Sequence, residues 1–277
     1  MSWRIELSPT EETLLVPLFG RAAESRRTHA IVRDPKAVEM VASIPWDYER
    51  FNQRPRVLAM VLRTAMFDEL VRAFLRRNAE GTVVEIGTGL NTRFERVDNG
   101  KVHWFDLDLP SVIALRREFF RDSERRRMLA ASVTEAGWIE TVQSSPGPYF
   151  FAAETVFVYL TEQEVKTALA RIAASFAGAR IALDMVTQRA VTSGNRDFAR
   201  RNMAARFQWA CGHPKDVEAW DIGLRLVESA GFAEIPEALR ERLSATARAG
   251  VFLAKKLLPE GAARAWTLNV YEEHGAD

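Results

Sequence analysis

The chain has 277 residues, with 38 basic and 37 acidic side chains, a formal net charge of +1 and 47% apolar residues. Near-neutrality argues against nucleic acid or an anionic membrane as a charge-driven partner, and the apolar and aromatic content is too high for a disordered chain. The length suits one large domain, or one domain with a cap, and the single cysteine, Cys211, excludes an internal disulfide framework and a cysteine-based zinc site.

The start, MSWRIELSPTEE, is polar and acidic, unlike a signal peptide. No apolar run approaches the ~20 residues that span a bilayer, so the expected location is the cytoplasm. Residues 8–79 read as helical. Ser8 or Thr10 can cap a first helix with Glu11 and Glu12 in its first turn, at the positive end of the helix dipole. Asp34-Pro35 opens a second helix through Val41, with proline at a favourable early position. A third, longer helix carries Val57, Val61, Leu62, Ala65, Met66, Leu70, Val71, Phe74 and Leu75 and ends in Arg76 and Arg77.

The pattern then changes period. Thr82–Ile86 is a short β-branched run ended by Gly87-Thr88-Gly89. Val102–Phe105 reads as a second strand, Pro110–Arg121 as the helix after it, and Met128–Ala131 as a third strand. Tyr149–Ala153 is a continuous apolar run, as in buried parallel strands. Thr161 and Glu164 have capping-box spacing into a helix over 162–176. Arg180–Val186 is the next strand, and 187–215 is polar, arginine-rich and expected to be helical. Asp221–Ala230 reads as a helix closed by Gly231, followed by the short run Phe232–Ile235, and Ala265–Tyr271 as a final strand. Strands alternating with helices predict an α/β fold with a parallel sheet and right-handed crossovers. The division expected is a helical cap over 1–79 and an α/β domain over 80–277, with a lid insertion at about 187–220.

The turn after the first strand is the sharpest feature. Open parallel sheets bind ligands beyond the carboxyl ends of their strands, and glycine lets backbone approach a ligand closely. Here the turn is G-x-G with Thr92 where a dinucleotide fingerprint has its third glycine. Glu85, just before the turn, is a poor neighbour for phosphates and suits an ammonium or sulfonium group. A bare structural turn is the competing reading. Asp106 and Asp108 follow the second strand, about 20 residues on, where an acid can accept from both ribose hydroxyls of a nucleoside. One of the two is expected to bind, the other to be solvated or to cap the next helix. Together these features favour S-adenosylmethionine over NAD.

The sequence resembles the leucine carboxyl methyltransferase superfamily, and within it the tetracenomycin-type (TcmP-like) polyketide O-methyltransferases. The resemblance rests on ETLLVPLFGRAAESRR at 12–27, RDPKAV at 33–38, VVEIGTGLNTRFERVD at 83–98, HWFDLDLPSVI at 103–113, FFAAETVFVYLTEQEV at 150–165 and AWDIGLRLVESAGF at 219–232. It implies the class I, Rossmann-like, SAM-dependent methyltransferase fold, a seven-stranded and mostly parallel sheet with an antiparallel last strand. By resemblance, Arg63 pairs with the methionyl carboxylate, Gly87 and Gly89 line the methionyl part, Asp108 (or Asp106) takes the ribose, and Glu154 lies near the amino group and sulfonium. Ser132, before Val133, stands where carboxyl methyltransferases place an Asp for the adenine amino group, and Thr88 and Asn91 replace the usual alanine and aspartate. The lysine that leucine-directed members carry near the N-terminus falls near Glu12 or Thr13, which argues against that substrate.

The function implied is methyl transfer from S-adenosylmethionine, leaving S-adenosylhomocysteine, to a carboxyl or phenolic oxygen of a small molecule such as a polyketide. The alternatives are a non-catalytic nucleoside-binding protein of the same fold, an NAD-dependent enzyme, or a protein C-terminal carboxyl methyltransferase. The histidines, His29, His103, His213 and His274, show no metal-ligand spacing, so no metal is expected. His213 is a candidate base for a phenol acceptor. Arg200, Arg201 and Trp209, with Phe198 and Phe207, are candidate substrate contacts in the lid, although lid packing accounts for the aromatics equally well. A monomer or homodimer is expected, with no nucleic-acid or membrane partner.

Overall fold

The computed structural model describes residues 7–232, 234–257, 262 and 264–275. The Ser8 hydroxyl accepts the Glu11 N–H at 3.3 Å while the Glu11 carboxylate accepts the Ser8 N–H at 2.7 Å, the reciprocal pattern of a capping box. A 3-10 turn, Glu11–Leu14, leads into α1 (Leu15–Ser25). Asp34 caps α2 (Pro35–Ser43) by accepting the Ala37 N–H at 2.9 Å. After a turn at Glu49–Phe51 comes the long α3 (Arg54–Arg77).

The α/β part then runs β1 (Thr82–Ile86), α4 (Arg93–Val97), β2 (His103–Asp108), α5 (Pro110–Phe119), β3 (Arg126–Ala130), α6 (Ile139–Gln143), β4 (Tyr149–Ala153), α7 (Glu162–Ser175), β5 (Arg180–Val186), α8 (Gln188–Arg200), β6 (Leu224–Gly231), α9 (Glu237–Arg240), α10 (Ala245–Leu257) and β7 (Trp266–Glu273). One seven-stranded sheet has the order β3-β2-β1-β4-β5-β7-β6. β1 to β5 pair in parallel, and β7 is inserted antiparallel between β5 and β6. The order reverses between β1 and β4, so the crevice for a ligand opens beyond their carboxyl ends.

Strand alternation sets the layers. Val83 faces a core built with Val61, Phe67, Val71 and Phe74 of α3, whereas Val84 faces the opposite core, with Val165, Leu169 and Ile172 of α7. α3 therefore covers one sheet face as a layer of the α/β unit. α1 and α2 pack with α5 residues Ile113 and Leu115. The capping box of Thr161 and Glu164 is formed.

The structure departs from the sequence reading in three places. Residues 224–231 form a strand, not the helix expected over 221–230. Spacing there serves either element, and pairing along β7, from Leu224 opposite Glu273 to Gly231 opposite Thr267, decides it. Residues 187–215 are helical only to Arg200; Asn202 then takes a left-handed backbone (φ 55°) and the chain runs irregularly to a 3-10 turn at Pro214–Trp220. β2 extends to Asp108, so both of its acids lie within the strand.

Candidate cofactor and substrate site

A cavity of about 350 Å³ lies at the carboxyl ends of β1 to β4. The turn after β1 makes room for it. Gly87 and Gly89 both have positive φ, 60° and 49°, which favours glycine. A Cβ on Gly87 would come within 2.4 Å of Val156 Cγ2, so the turns after β1 and β4 can meet only over a bare backbone. Thr13, Arg63, Glu85, Gly87, Gly89, Asp108, Ser132, Val133 and Glu154 all line the cavity, brought together from across the chain.

The cavity floor is a buried ion-pair network. Arg93 is fully buried and holds Asp68 at 2.9 Å, Glu154 at 2.5 Å and Glu85. Arg63 Nε lies 2.9 Å from Glu154 and 4.0 Å from Asp184, and the Thr64 hydroxyl donates to Glu154 at 2.8 Å. Burial alone would raise the Glu154 pKa, but Arg63 and Arg93 outweigh it and hold the carboxyl at about 2. Glu85 is shifted the other way: burial raises it, against the attraction of Arg93, and its Oε2 is buried without a hydrogen-bond partner. The substitutions in the glycine turn have structural counterparts. The Thr88 hydroxyl donates to Asp106 at 2.9 Å, and the Asn91 amide donates to Glu85 at 2.9 Å.

Asp108 and Asp106 divide by depth. Asp108, half-buried at the end of β2, accepts the Gly89 and Leu109 N–H groups, each at 2.7 Å. Burial pushes its pKa up to about 6. Asp106 was expected to be solvated or capping if it did not bind ribose; it is neither. It is 1% exposed and is saturated by Arg116 (3.1 Å), Arg126 (2.6 Å), Trp104 Nε1 (3.0 Å) and Thr88. Residues two apart on a strand share a face, so Asp106 sits one step behind Asp108, beneath the turn and outside the cavity lining. At the β3 end, the Ser132 hydroxyl lies 2.7 Å from that of Thr134.

The lid candidates fare differently. Arg200 is exposed, Arg201 pairs with Asp197 at 3.0 Å, and Trp209 is buried beside Trp220. His213 is exposed and caps the turn at Pro214–Trp220, its Nδ1 accepting the Lys215 N–H at 3.1 Å. None of the four lines the cavity, so the structure does not place His213 as a base there. Phe198 and Phe207 do line it, as do Tyr159, Thr155 and Met60, which sequence reading had not assigned to a site. Burial raises the pKa of the Tyr159 hydroxyl to about 12. Sequence reading missed Arg93 although it lies within the VVEIGTGLNTRFERVD segment; its signal is a cation a few residues past a turn that Glu85 precedes. Among the described residues, no group of three or more His, Cys, Asp or Glu side chains could hold a metal ion.

The donor set fits a zwitterionic, sulfonium-bearing nucleoside. Arg63 offers a planar fork for a carboxylate, Glu154 an anion for an ammonium, Glu85 an orphaned buried oxygen, and Asp108 an acceptor for ribose hydroxyls. Fold and cavity together define a methyltransferase of the class I, Rossmann-like type. The fold is similar to that of a duf574 family protein from Streptomyces avermitilis (TM-score 0.54, 13% identity, covering 94% of this chain and 97% of that one). It is also similar to that of a methyltransferase candidate from Thermobifida fusca (TM-score 0.57, 15% identity, covering 97% and 96%).

Residues 15–173 match the leucine carboxyl methyltransferase family, and the chain belongs to that family of S-adenosylmethionine-dependent methyltransferases. It is 29% identical over 238 residues to the tetracenomycin polyketide synthesis O-methyltransferase TcmP of Streptomyces glaucescens, covering 85% of this chain and 88% of that protein. It is 24% identical to the S-adenosyl-L-methionine-dependent methyltransferase dpfgK of Gibberella zeae, covering 81% and 83%. No helix among the described residues is long and apolar enough to cross a membrane.

Proposed function

We propose that the protein methylates a carboxyl or phenolic oxygen of a small molecule, a polyketide or another natural-product intermediate, using S-adenosylmethionine. The observation that carries this reading is the convergence of Arg63, Glu85, Asp108 and Glu154 on one cavity beside the Gly87 and Gly89 turn. S-adenosylmethionine, when bound, supplies a methyl group already activated on a sulfonium. The chain's own residues then have to bind, orient and exclude water. Arg63 would take a carboxylate through its guanidinium edge, Glu154 an ammonium, and Asp108 the ribose hydroxyls. Ser132 would accept from the adenine amino group.

No histidine or lysine lines the cavity among the described residues. This favours an acceptor oxygen that is ionised before it binds, such as a carboxylate, over an unactivated phenol of pKa about 10. Isothermal titration with S-adenosylmethionine tests the reading. Wild type should bind, and Arg63→Ala and Asp108→Ala should each weaken binding at least about tenfold, or about 1.4 kcal/mol. No binding by wild type, or unchanged binding by both variants, would overturn it.

A further inference from the structure

Strand order lays the cavity out as a line. Ser132 and Val133 stand beyond β3, Asp108 and Leu109 beyond β2, the glycine turn beyond β1, and Glu154, Thr155 and Tyr159 beyond β4. At the far end stand Phe198 and Phe207, from α8 and the segment after it, which follow β5. If the nucleoside end lies over β2 and β3, the methyl acceptor must enter from this far end.

Phe207 is held there by contacts unusual for an irregular segment. Its N–H donates to Asn195 Oδ1 at 2.8 Å, and its carbonyl accepts from Asn195 Nδ2 at 3.0 Å. The next two N–H groups, of Gln208 and Trp209, both donate to the Val158 carbonyl, at 2.8 and 3.2 Å. The ring lies over Gly194, where a Cβ would come within 2.5 Å of it. Phe207 also meets Phe198 edge-on at 4.9 Å and Tyr159 at 5.1 Å between ring centroids. Yet Phe198 and Phe207 are only half-buried, so these fixed rings retain apolar surface at the cavity. The charged groups lining the cavity come from other segments: Arg21, which pairs with Asp34, and Arg63, whose Nε lies on Glu154, belong to the helices before β1.

We infer that Phe207, with Phe198 and Tyr159, is the specificity-determining wall of the acceptor subsite, and that it selects a flat ring bearing the acceptor oxygen over an aliphatic chain. A rigid aromatic wall gains more from a flat ring than from an aliphatic chain of equal area, because ring edges and faces attract one another in addition to burying surface. A wall held before binding also loses little freedom on binding. Asn195 and Gly194 are positioning residues that act through Phe207. The inference rests on the methyltransferase reading above.

The test uses the full chain saturated with S-adenosylhomocysteine, titrated with 2-naphthoate, 2-naphthol and, as the aliphatic counterpart, octanoate. Both naphthyl probes should bind, and octanoate at least tenfold more weakly. Phe207→Ala and Gly194→Ala should each weaken the naphthyl probes at least tenfold while S-adenosylhomocysteine affinity stays within twofold, and Phe207→Trp should retain naphthyl binding. Gly194→Ala is the discriminating variant, because alanine favours the helix and touches no ligand. Naphthyl affinity unchanged in both variants, or octanoate binding as tightly as 2-naphthoate, would overturn this role for the wall. Failure of wild type to bind S-adenosylhomocysteine would instead overturn the methyltransferase reading beneath it.

Discussion

Asp184 holds Thr155 in a left-handed backbone conformation. Thr155 has φ 56°, and its N–H and hydroxyl both donate to the Asp184 carboxylate, at 2.6 and 3.1 Å. Trp266 Nε1 donates to the same carboxylate at 2.8 Å, and Asp184 is 6% exposed. A non-glycine residue in this region costs roughly 1–3 kcal/mol, and Thr155 directly follows Glu154 at the cavity. The clamp therefore sets the turn that aims Glu154.

Removing the clamp should be rescued by glycine. Asp184→Ala leaves buried donors unpaired and releases the strained turn, with an expected loss of about 3 kcal/mol. Adding Thr155→Gly should recover about 1–2 kcal/mol, since glycine adopts positive φ freely. Urea denaturation of the two single variants and the double variant measures the coupling. Simple additivity would show that Asp184 does not act through Thr155.

Asp108 makes nucleoside binding depend on pH. Its folded pKa of about 6 lies above the ordinary 3.8. Its contribution to the stability of the free protein is therefore present below about 3.8 and lost as pH rises through about 6. Ligand affinity runs the other way, because the ionised carboxylate is the better acceptor for ribose hydroxyls. S-adenosylhomocysteine affinity measured from pH 5 to pH 8 should rise through about 6, and the rise should vanish in Asp108→Asn. A flat wild-type profile would assign the ribose elsewhere.

Glu154 is the counter-charge for two buried guanidinium groups, and its depressed pKa of about 2 has the opposite sign to that of Asp108. Its stabilisation is present above the ordinary 4.5 and lost as pH falls toward about 2. Glu154→Gln should cost about 3 kcal/mol at pH 7, because breaking a buried pair leaves charge uncompensated. The gap between wild type and variant in urea midpoint should narrow as pH falls from 4.5. A gap independent of pH would show that the loss comes from packing.

How much was legible in the sequence varied with the range of the forces involved. Thr82–Ile86, Tyr149–Ala153 and Arg180–Val186 were readable to the residue because short apolar, β-branched runs bounded by turns suit few other elements. Residues 224–231 were misread because β6 exists only by pairing with β7, whose partner residues lie some forty positions on. Gly87, Gly89 and Asp108 are legible from the strand-turn pattern, Arg63 and Glu154 only through the family resemblance, and all five line the cavity. His213, Arg200, Arg201 and Trp209 had only their residue types to point to a site, and none lines it.

By itself, the sequence determined the alternation of strands and helices, the glycine turn after β1 and the acids and arginines that surround it, because these follow from local periodicity and from motifs contiguous in the chain. Only the tertiary structure decided that Asp106 is a saturated core anion while Asp108 faces the cavity, that Arg93 binds three carboxylates, and that Phe207 lines the cavity. Burial and ion pairing depend on which segments meet across the sheet, and that meeting has no local signature.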